Sequence, residues 1–332
     1  MGYYLYQLAF DGPVHFGDTS MGGNLEQSGF TYTSDTLFSS ICTELAQQGA
    51  ADLLDEFIAL GQKGEILLSD LLPYQYGTQE DLELFLPAPY LYINNNRQQE
   101  NLDYAKAKAL SAQRKKAKKQ LYYRASELYD YVEALKNGET YIAKYQLQLG
   151  DEFITEKVNC RGELPMPYFM KSGTFADNAG LYLVVKLPDA WADNMKEILT
   201  MLGLSGIGGK RSSGYGHFHL ANNYIYLDER VYCSEFDDIA AMNELLQNLY
   251  NWQMSISSIL PREKELELVK SGSYQLKKSS GFASGIKRDS VYMLSAGSCF
   301  TEKLQGSMVD LATLNEHSVW RYGKGLFVGL NI

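Results

Sequence analysis

Residues 180–219 read GLYLVVKLPDAWADNMKEILTMLGLSGIGGKRSSGYGHFH. The apolar run at 180–188 is typical of a strand, and residues 191–203 have the spacing of an amphipathic helix that ends at a glycine. Residues 203–219 then contain six glycines, one lysine and one arginine. The alternating residues 215–227 predict a further strand. The order strand, helix, glycine loop, strand decides how the rest of the chain is interpreted.

The same elements occur before and after this stretch. Residues 3–10 are aromatic and apolar and predict a strand, and a helical pattern closed by Gly49 follows a turn-rich segment. The last third has a helical pattern at 237–253 followed by strands with glycine corners. We therefore predict an α+β fold of two tandem ferredoxin-like (RRM-like, βαββαβ) units. They would cover residues 1–226 and 227–332, with a helical insertion at about 95–150 in the first.

Composition and charge restrict the class of protein. The chain has 332 residues, 45% of them hydrophobic, and a formal net charge of −10. Residues 106–124 carry eight basic side chains and no acidic one, which leaves 22 basic against 40 acidic residues elsewhere. This polarised surface favours a subunit that holds a polyanion at one place and faces proteins elsewhere. We expect a cytoplasmic protein with reduced cysteines, without a signal peptide or membrane span.

The glycine loop fails the common nucleotide-binding patterns. Leu204 stands where the phosphate loop of ATPases needs its first glycine, and Arg211 follows the Gly-Lys pair where Ser or Thr is needed. The dinucleotide fingerprint also ends on Arg211 instead of glycine. Both motifs lie between a strand and a helix, whereas this loop follows a helix. We therefore predict no nucleotide cofactor and no metal.

The remaining interpretation is a loop that grips phosphates. Glycines allow a ligand to approach the backbone, and consecutive amides can form an anion-binding concavity. Such a loop contacts a polymer backbone without reading bases, which favours RNA. The alternative is a linker with a helix-ending glycine. The loop residues predicted to bind RNA are Gly206, Gly208, Gly209, Lys210, Arg211, Ser212, Ser213, Gly214 and Gly216.

Other segments carry weaker signals for RNA. Lys157, Asn159 and Arg161 follow a predicted strand and are candidate RNA contacts, with an ordinary solvated loop as the alternative. The basic window 106–124 is interleaved with tyrosines, a combination that permits contact with RNA or with a protein partner.

Three histidines are candidates for catalysis or metal binding. His15 stands after the first strand and could act as a base on a ribose hydroxyl, with Lys210 stabilising charge. The alternative, which we favour, is that its ring packs into the turn or hydrogen-bonds a backbone carbonyl. His217 and His219 share one face of a predicted strand without a carboxylate at matching spacing. Asp35 is expected to cap its helix.

Several segments resemble a known family. The pattern GxGGxxSxGxG at 206–216 resembles the RAMP proteins of CRISPR systems. Within that superfamily, segments from both ends of the chain resemble the fourth subunit of the type III-A Csm effector complex. These segments are FDGPVHFGD (10–18), SDTLFSSIC (34–42), SYQLKKSSGFASG (273–285), YMLSAGSCF (292–300) and WRYGKGLFVGL (320–330).

This resemblance implies a non-catalytic subunit that caps the 5′ handle of the CRISPR RNA. It implies protein partners as well: a large polymerase-like signalling subunit and the backbone RAMP subunits, with target RNA met indirectly. His15 would then be an RNA contact. The alternative within the superfamily is a metal-independent CRISPR RNA processing endoribonuclease that uses His15 as its base.

Overall fold

The computed structural model describes residues 1–17, 25–91, 103–160, 164–228, 237–248, 250–280, 282–283, 286–287, 289–311 and 318–332. Its α-helices are α1 (Ser34–Gln47), α2 (Ala51–Lys63), α3 (Tyr104–Ala117), α4 (Leu128–Lys136), α5 (Ala192–Ser205), α6 (Asp237–Gln247) and α7 (Leu266–Ser271). Its strands are β1 (Gly2–Phe10), β2 (Phe16–Gly17), β3 (Ser28–Gly29), β4 (Leu67–Leu68), β5 (Leu72–Tyr76), β6 (Leu82–Pro87), β7 (Tyr122–Arg124), β8 (Gly150–Asn159), β9 (Met166–Phe175), β10 (Ala179–Leu187), β11 (Phe218–Leu220), β12 (Ile225–Leu227), β13 (Trp252–Ser255), β14 (Leu276–Ser279), β15 (Phe282–Ala283), β16 (Ile286–Lys287), β17 (Val291–Leu294), β18 (Cys299–Phe300), β19 (Gly306–Asp310), β20 (Trp320–Lys324) and β21 (Phe327–Leu330). None of the helices in these ranges is long and apolar enough to span a bilayer.

The largest sheet places the glycine loop at one of its edges. Its strand order is β11–β1–β10–β5–β6–β7, with β12 also beside β1 and β4 beside β10. The named strands of this sheet pair antiparallel, so the predicted α+β class is confirmed. In β10 only Lys186 is not fully buried. That apolar run is what a strand needs when both faces of its sheet are covered.

Successive side chains of β1 enter two different hydrophobic cores. Tyr4 and Tyr6 belong to the core that α1 and α5 cover. Tyr3 and Leu5 belong to the other core, which contains Met254 and other residues of the C-terminal third. Because neighbouring side chains of a strand point to opposite faces of the sheet, one strand ties the two cores together.

The helix before the glycine loop is fixed by close backbone packing. A Cβ atom at Gly203 would lie 2.2 Å from the carbonyl oxygen of Phe218, so α5 approaches β11 more closely than a larger residue allows. Gly206 ends the helix with φ +76°, a conformation that favours glycine. The chain therefore turns sharply out of α5 into the loop.

The C-terminal part forms a smaller sheet and also packs on the N-terminal part. Strand β13 lies between β18 and β21. Tyr322 of β20 stacks on Phe38 of α1, with ring centroids 4.8 Å apart. Each of the two larger cores includes residues from both sides of the boundary predicted at 226/227. The division into two units stays a prediction.

The region predicted as an insertion is only partly separate from the sheet. The side chains described for α3 lie largely on the surface. In contrast, β7 extends the main sheet beside β6. Arg124 at the end of β7 is buried and donates from Nε to Asp238 Oδ2 over 2.8 Å. Residues 122–124 are thus part of the main sheet.

Strands β8 and β9 form a two-stranded ribbon, here called the β-arm. Ten residue pairs join them, from Gly150 opposite Phe175 to Asn159 opposite Met166. Most side chains of β8 are exposed, and large apolar ones are among them. The β-arm is a sheet of its own whose second strand ends shortly before β10 begins, and its far half reaches the glycine loop.

Candidate nucleic-acid interface

A groove of about 1000 Å³ lies between the glycine loop, the first turns of α1 and the β2–β3 pair; we call it the loop groove. This volume is at the upper end of the range for ligand pockets. Among the residues that the structure describes, four basic side chains line it against one acidic side chain, Glu26. The basic lining residues are Lys171, Lys210, Arg211 and Lys277. An anion is the ligand that this balance favours.

Two loop glycines are required by backbone geometry. Gly208 has φ +84°, and a Cβ atom there would lie 2.8 Å from the carbonyl oxygen of His15. Gly216 has φ +75°, and its Cβ would lie 1.9 Å from the carbonyl oxygen of Ile207. Only glycine combines this conformation with such close approach. The loop is thereby pressed against the segment that follows β1.

The amides of the glycines are used inside the protein, which corrects the expectation that they would be offered to a ligand. The Gly206 amide donates to the carbonyl oxygen of Leu202. The Gly209 amide donates to the carbonyl oxygen of His15, and the Gly216 amide to that of Pro13, each over 2.9 Å. The Gly208 backbone bonds to the Tyr32 hydroxyl, and the Gly214 amide donates to Arg211. Closing a tight loop requires these hydrogen bonds. The glycines therefore shape the loop.

A different set of amides remains for a ligand. Lys210 has φ +62° and precedes a short 3₁₀ turn at Arg211–Ser213. In the part of the chain that the structure describes, the amides of Lys210, Arg211 and Ser212 have no acceptor, whereas the Ser213 amide donates to Lys210. Three successive free amides at the start of such a turn form a small anion-binding concavity.

The β-arm crosses the glycine loop through two cation–π contacts. Lys157 Nζ lies 4.9 Å from the ring centroid of Tyr215. Lys210 Nζ lies 5.3 Å from the ring centroid of Tyr168, and Tyr168 stands directly opposite Lys157 in the β-arm. The structure thus brings Lys157 to the glycine loop, and its contact with RNA stays a prediction. Asn159 is exposed at the end of β8, and Arg161 lies outside the described residues.

His15 is held in place by a hydrogen bond to the backbone. It is buried, and its Nδ1 donates to the carbonyl oxygen of Lys171 over 2.7 Å. This is the arrangement that the sequence analysis favoured, and it is confirmed. This bond fixes the ring, and in a neutral imidazole whose Nδ1 carries the proton, the other nitrogen, Nε2, is an acceptor. Ser212, Ser213 and Gly214 are exposed, outside the lining of the groove.

The other histidines form no metal centre within the described ranges. His219 Nδ1 lies 2.7 Å from Asp11 Oδ1, and both side chains are more than half exposed. His217 accepts the amide of Asp11 through its carbonyl oxygen. No group of three or more possible metal ligands occurs among the residues that the structure describes.

Sequence reasoning missed a row of hydroxyl groups on α1. Thr33, Thr36, Ser39, Ser40 and Thr43 line the loop groove. They recur at helical spacing, so they share the face of α1 that looks into the groove. The signal was present in the segment 33–43, where the polar face of an amphipathic helix holds hydroxyls instead of charged residues. Ser39, Ser40 and Thr43 donate their protons to backbone carbonyls of the helix, so their oxygens face the groove as acceptors, which suit ribose hydroxyls.

Comparison with known proteins points to one family. A family profile described as the CRISPR Csm4 C-terminal domain matches residues 248–330. A curated protein of Streptococcus thermophilus, "CRISPR system Cms protein Csm4", is 29% identical over 340 residues that cover 100% of both chains. A protein of the same description from Mycobacterium tuberculosis (strain CDC 1551 / Oshkosh) is 27% identical and covers 98% of this chain and 97% of its own.

Solved structures share the fold along the whole chain. One is described as the Csm3-Csm4 subcomplex of the type III-A CRISPR-Cas interference complex, with a TM-score of 0.63, 14% identity and 100% of both chains covered. Another is described as the Csm1-Csm4 cassette in complex with AMPPNP, with a TM-score of 0.58, 14% identity and coverage of 100% and 99%. At this identity the likeness concerns the fold alone.

Proposed function

Because this chain belongs to the Csm4 family of type III-A CRISPR subunits, we propose that it holds the 5′ handle of the CRISPR RNA in the loop groove. In this proposal it also links the large polymerase-like subunit to the backbone RAMP subunits and meets target RNA indirectly. We assign it no catalytic role and no cofactor.

The observation that carries the RNA proposal is the composition of the loop groove. Among the described lining residues, four cations face one carboxylate, and although Lys171 also pairs with Glu152 over 2.7 Å, the groove is basic in a chain that is acidic as a whole. Among the described residues, the amides of Lys210 and Arg211 add donors at the groove, and that of Ser212 adds one beside it. The hydroxyl oxygens of the α1 row, whose protons are largely donated inside the protein, keep lone pairs that can accept from ribose hydroxyls. Groups of this kind contact phosphates and sugars and leave the base edges unread. The groove therefore fits the backbone of a short single strand.

The shape of the loop decides which residues are expected to contact RNA. Lys210, Arg211 and the free Ser212 amide provide donors, and His15 offers Nε2. Ser213 and Gly214 complete the exposed turn, while Gly206, Gly208, Gly209 and Gly216 hold it against the protein. Lys157 and Asn159 are proposed to extend the contact surface along the β-arm.

The partner proposal rests on the relatives and on the β-arm. Relatives of this fold are described in complexes with Csm3 and with Csm1. Phe153, Ile154, Val158, Met166 and Phe169 expose between 39% and 67% of their surface on the β-arm. Large apolar side chains gathered on one ribbon favour a protein interface. We propose that neighbouring subunits cover these side chains.

We also keep the two-unit architecture as a proposal. The order β11–β1–β10–β5, with α1 and α5 against the same core, supports a ferredoxin-like unit within residues 1–226. The sheet β18–β13–β21 is the corresponding centre for residues 227–332. The exposed basic helix α3 is proposed to add electrostatic attraction for RNA or a partner.

One observation keeps the endoribonuclease alternative open to experiment. His15 lines the groove, and in the neutral ring its Nε2 would be the acceptor that a general base needs. Purified chain is therefore incubated with end-labelled repeat RNA, with and without a chelator. Intact RNA that shifts on a native gel supports the holding function. Metal-independent cleavage that His15→Ala abolishes would overturn it.

A further inference from the structure

A second basic pocket lies at the other end of β1 from the loop groove. It has a volume of about 290 Å³, and the described residues that line it include five basic side chains and no acidic one. The basic residues come from the end of α2, from β10 and from the C-terminal third: Lys63, Lys186, Arg262, Lys303 and Lys324. Five cations around so small a volume are unexpected in a chain of net charge −10.

These cations have no ion-pair partner in the described part of the chain. The described ion pairs involve other residues. Glu265 is the acidic residue next to Arg262 and Lys324, but its oxygens accept backbone amides. Oε1 accepts a hydrogen bond from the backbone amide of Gln305 over 2.8 Å, and Oε2 accepts one from the backbone amide of Arg262 over 2.9 Å.

The positions of two of these groups are fixed from inside the protein. Lys324 is buried, with Nζ donating to the carbonyl oxygen of Gln62 over 2.9 Å. Arg262 Nε donates to the carbonyl oxygen of Gly306 over 2.8 Å. An ammonium carries three donors and a guanidinium five, so both retain donors for a ligand. The pocket is therefore built before any ligand arrives.

The like charges repel one another in the empty pocket. Burial and the charge of Lys186 lower the pKa of Lys303. Burial and the charge of Arg262 lower the pKa of Lys324, against the opposing effect of Glu265. An anion between these groups would offset the repulsion. It would also stabilise the charged lysines, which burial has separated from water.

We propose that the second basic pocket binds a small, multiply charged phosphate anion of the diphosphate or triphosphate type. The pocket volume is below the range of about 300–1,000 Å³ for drug-sized ligands, which suits a compact anion. It shares no lining residue with the loop groove. Tyr3 lines it, whereas Phe10 at the far end of β1 pairs with β11. At about 3.3 Å per residue, roughly 23 Å separates the two ends.

The experiment uses the full chain and sodium pyrophosphate as the probe, titrated by calorimetry at constant ionic strength. We expect saturable binding with one site per chain. The variant Lys63→Ala/Lys303→Ala removes two lysines that line the pocket and is expected to bind about tenfold more weakly per lysine. The matched control, Lys264→Ala/Lys270→Ala, removes two exposed lysines outside the pocket and is expected to bind like the parent.

Further arms identify the source of the phosphate. ATP that binds with the affinity of pyrophosphate would support a nucleotide, and binding of pyrophosphate alone would support a free polyphosphate. No saturable binding of pyrophosphate, or equal affinity in parent and pocket variant, overturns the proposal. Binding of a glutamate-rich peptide in place of pyrophosphate also overturns it, because the pocket would then accept an acidic protein segment.

Discussion

Arg321 Nη1 lies 2.7 Å from Asp35 Oδ2, and each of the two side chains is only 1% exposed. The contact joins the start of α1 to β20, nearly the whole chain apart. Ser279 also donates to this carboxylate, over 2.7 Å. Asp35 therefore fastens the C-terminal part to the helix that lines the loop groove, and it has a different role from the helix cap expected from sequence.

We expect Asp35→Asn to destabilise the fold strongly. Removing one partner of a buried ion pair leaves an uncompensated charge and costs about 3–5 kcal/mol. Chemical denaturation of parent and variant gives this difference in the free energy of unfolding. Glu267→Gln is the control, because its pair with Lys270 is exposed, and it should leave the midpoint unchanged. Equal midpoints for parent and Asp35→Asn would contradict the role assigned to the pair.

The same carboxylate predicts a loss of stability in acid. Burial alone would raise the pKa of Asp35, but Lys277 and Arg321 outweigh it and hold the pKa below its ordinary value. The stabilisation is therefore complete above the unfolded pKa of about 3.9 and is lost as pH falls through the lower folded pKa. The free energy of unfolding measured from pH 6 down should fall more steeply for the parent than for Asp35→Asn. Parallel curves would refute this assignment.

We expect Lys210→Ala/Arg211→Ala to lower the affinity of the loop groove for the 5′ handle of the CRISPR RNA. The dependence of that affinity on salt should become weaker as well. Each lost phosphate contact lowers the slope of log affinity against log salt by about 0.7 for single strands. Fluorescence anisotropy with a 5′-handle RNA at several salt concentrations gives both quantities. The doubly substituted Lys264→Ala/Lys270→Ala chain, which alters exposed lysines away from the groove, serves as the reference. An unchanged slope would place the RNA elsewhere.

Replacing one loop glycine should disturb the fold more than replacing its neighbour. In Gly216→Ala the new residue would need a positive φ, and its Cβ would lie 1.9 Å from the carbonyl oxygen of Ile207. Gly214→Ala meets a φ of +81° but no atom within 4 Å, so it should cost only the roughly 1 kcal/mol of the left-handed conformation. Thermal unfolding should show the larger shift for Gly216→Ala. The reverse order would mean that the loop is not closed as described.

The hydroxyl row offers a change that separates binding from stability. Ser39 and Thr43 donate to the backbone carbonyls of Asp35 and Ser39, one helical turn back. Such bonds contribute little to a helix that is already formed. The hydroxyl oxygens can still accept from ribose hydroxyls. Ser39→Ala/Thr43→Val should therefore keep the unfolding midpoint and lower RNA affinity several-fold, as expected for about 0.5–1.5 kcal/mol per neutral hydrogen bond. Unchanged affinity would remove α1 from the RNA surface.

The sequence was sufficient for elements with a local signal. The apolar run of β10 and the amphipathic pattern of α5 are set by neighbouring residues, so their positions were predictable. The glycine pattern located the loop for the same reason. Its amide bonding was not predictable, because the acceptors at Pro13 and His15 are about two hundred residues away.

The parts that sequence reasoning missed depend on contacts between distant segments. Lys171 and Lys277 reach the loop groove only after the β-arm and the C-terminal part have packed. The burial of Arg124 depends on Asp238, 114 residues later. A basic residue in a polar window is usually solvated, so nothing local distinguished Arg124 from the exposed lysines before it.

The alternation of β1 between two cores also limits how this protein can be divided. An N-terminal fragment that ends near residue 226 would leave Tyr3 and Leu5 without the C-terminal residues that bury them. The C-terminal fragment would in turn lose the face of β1 on which its own apolar residues pack. Truncated halves are therefore expected to aggregate or be degraded unless they are produced together. Heat should melt the intact chain in one step, so a mutation on either side lowers the amount of the whole subunit available for assembly.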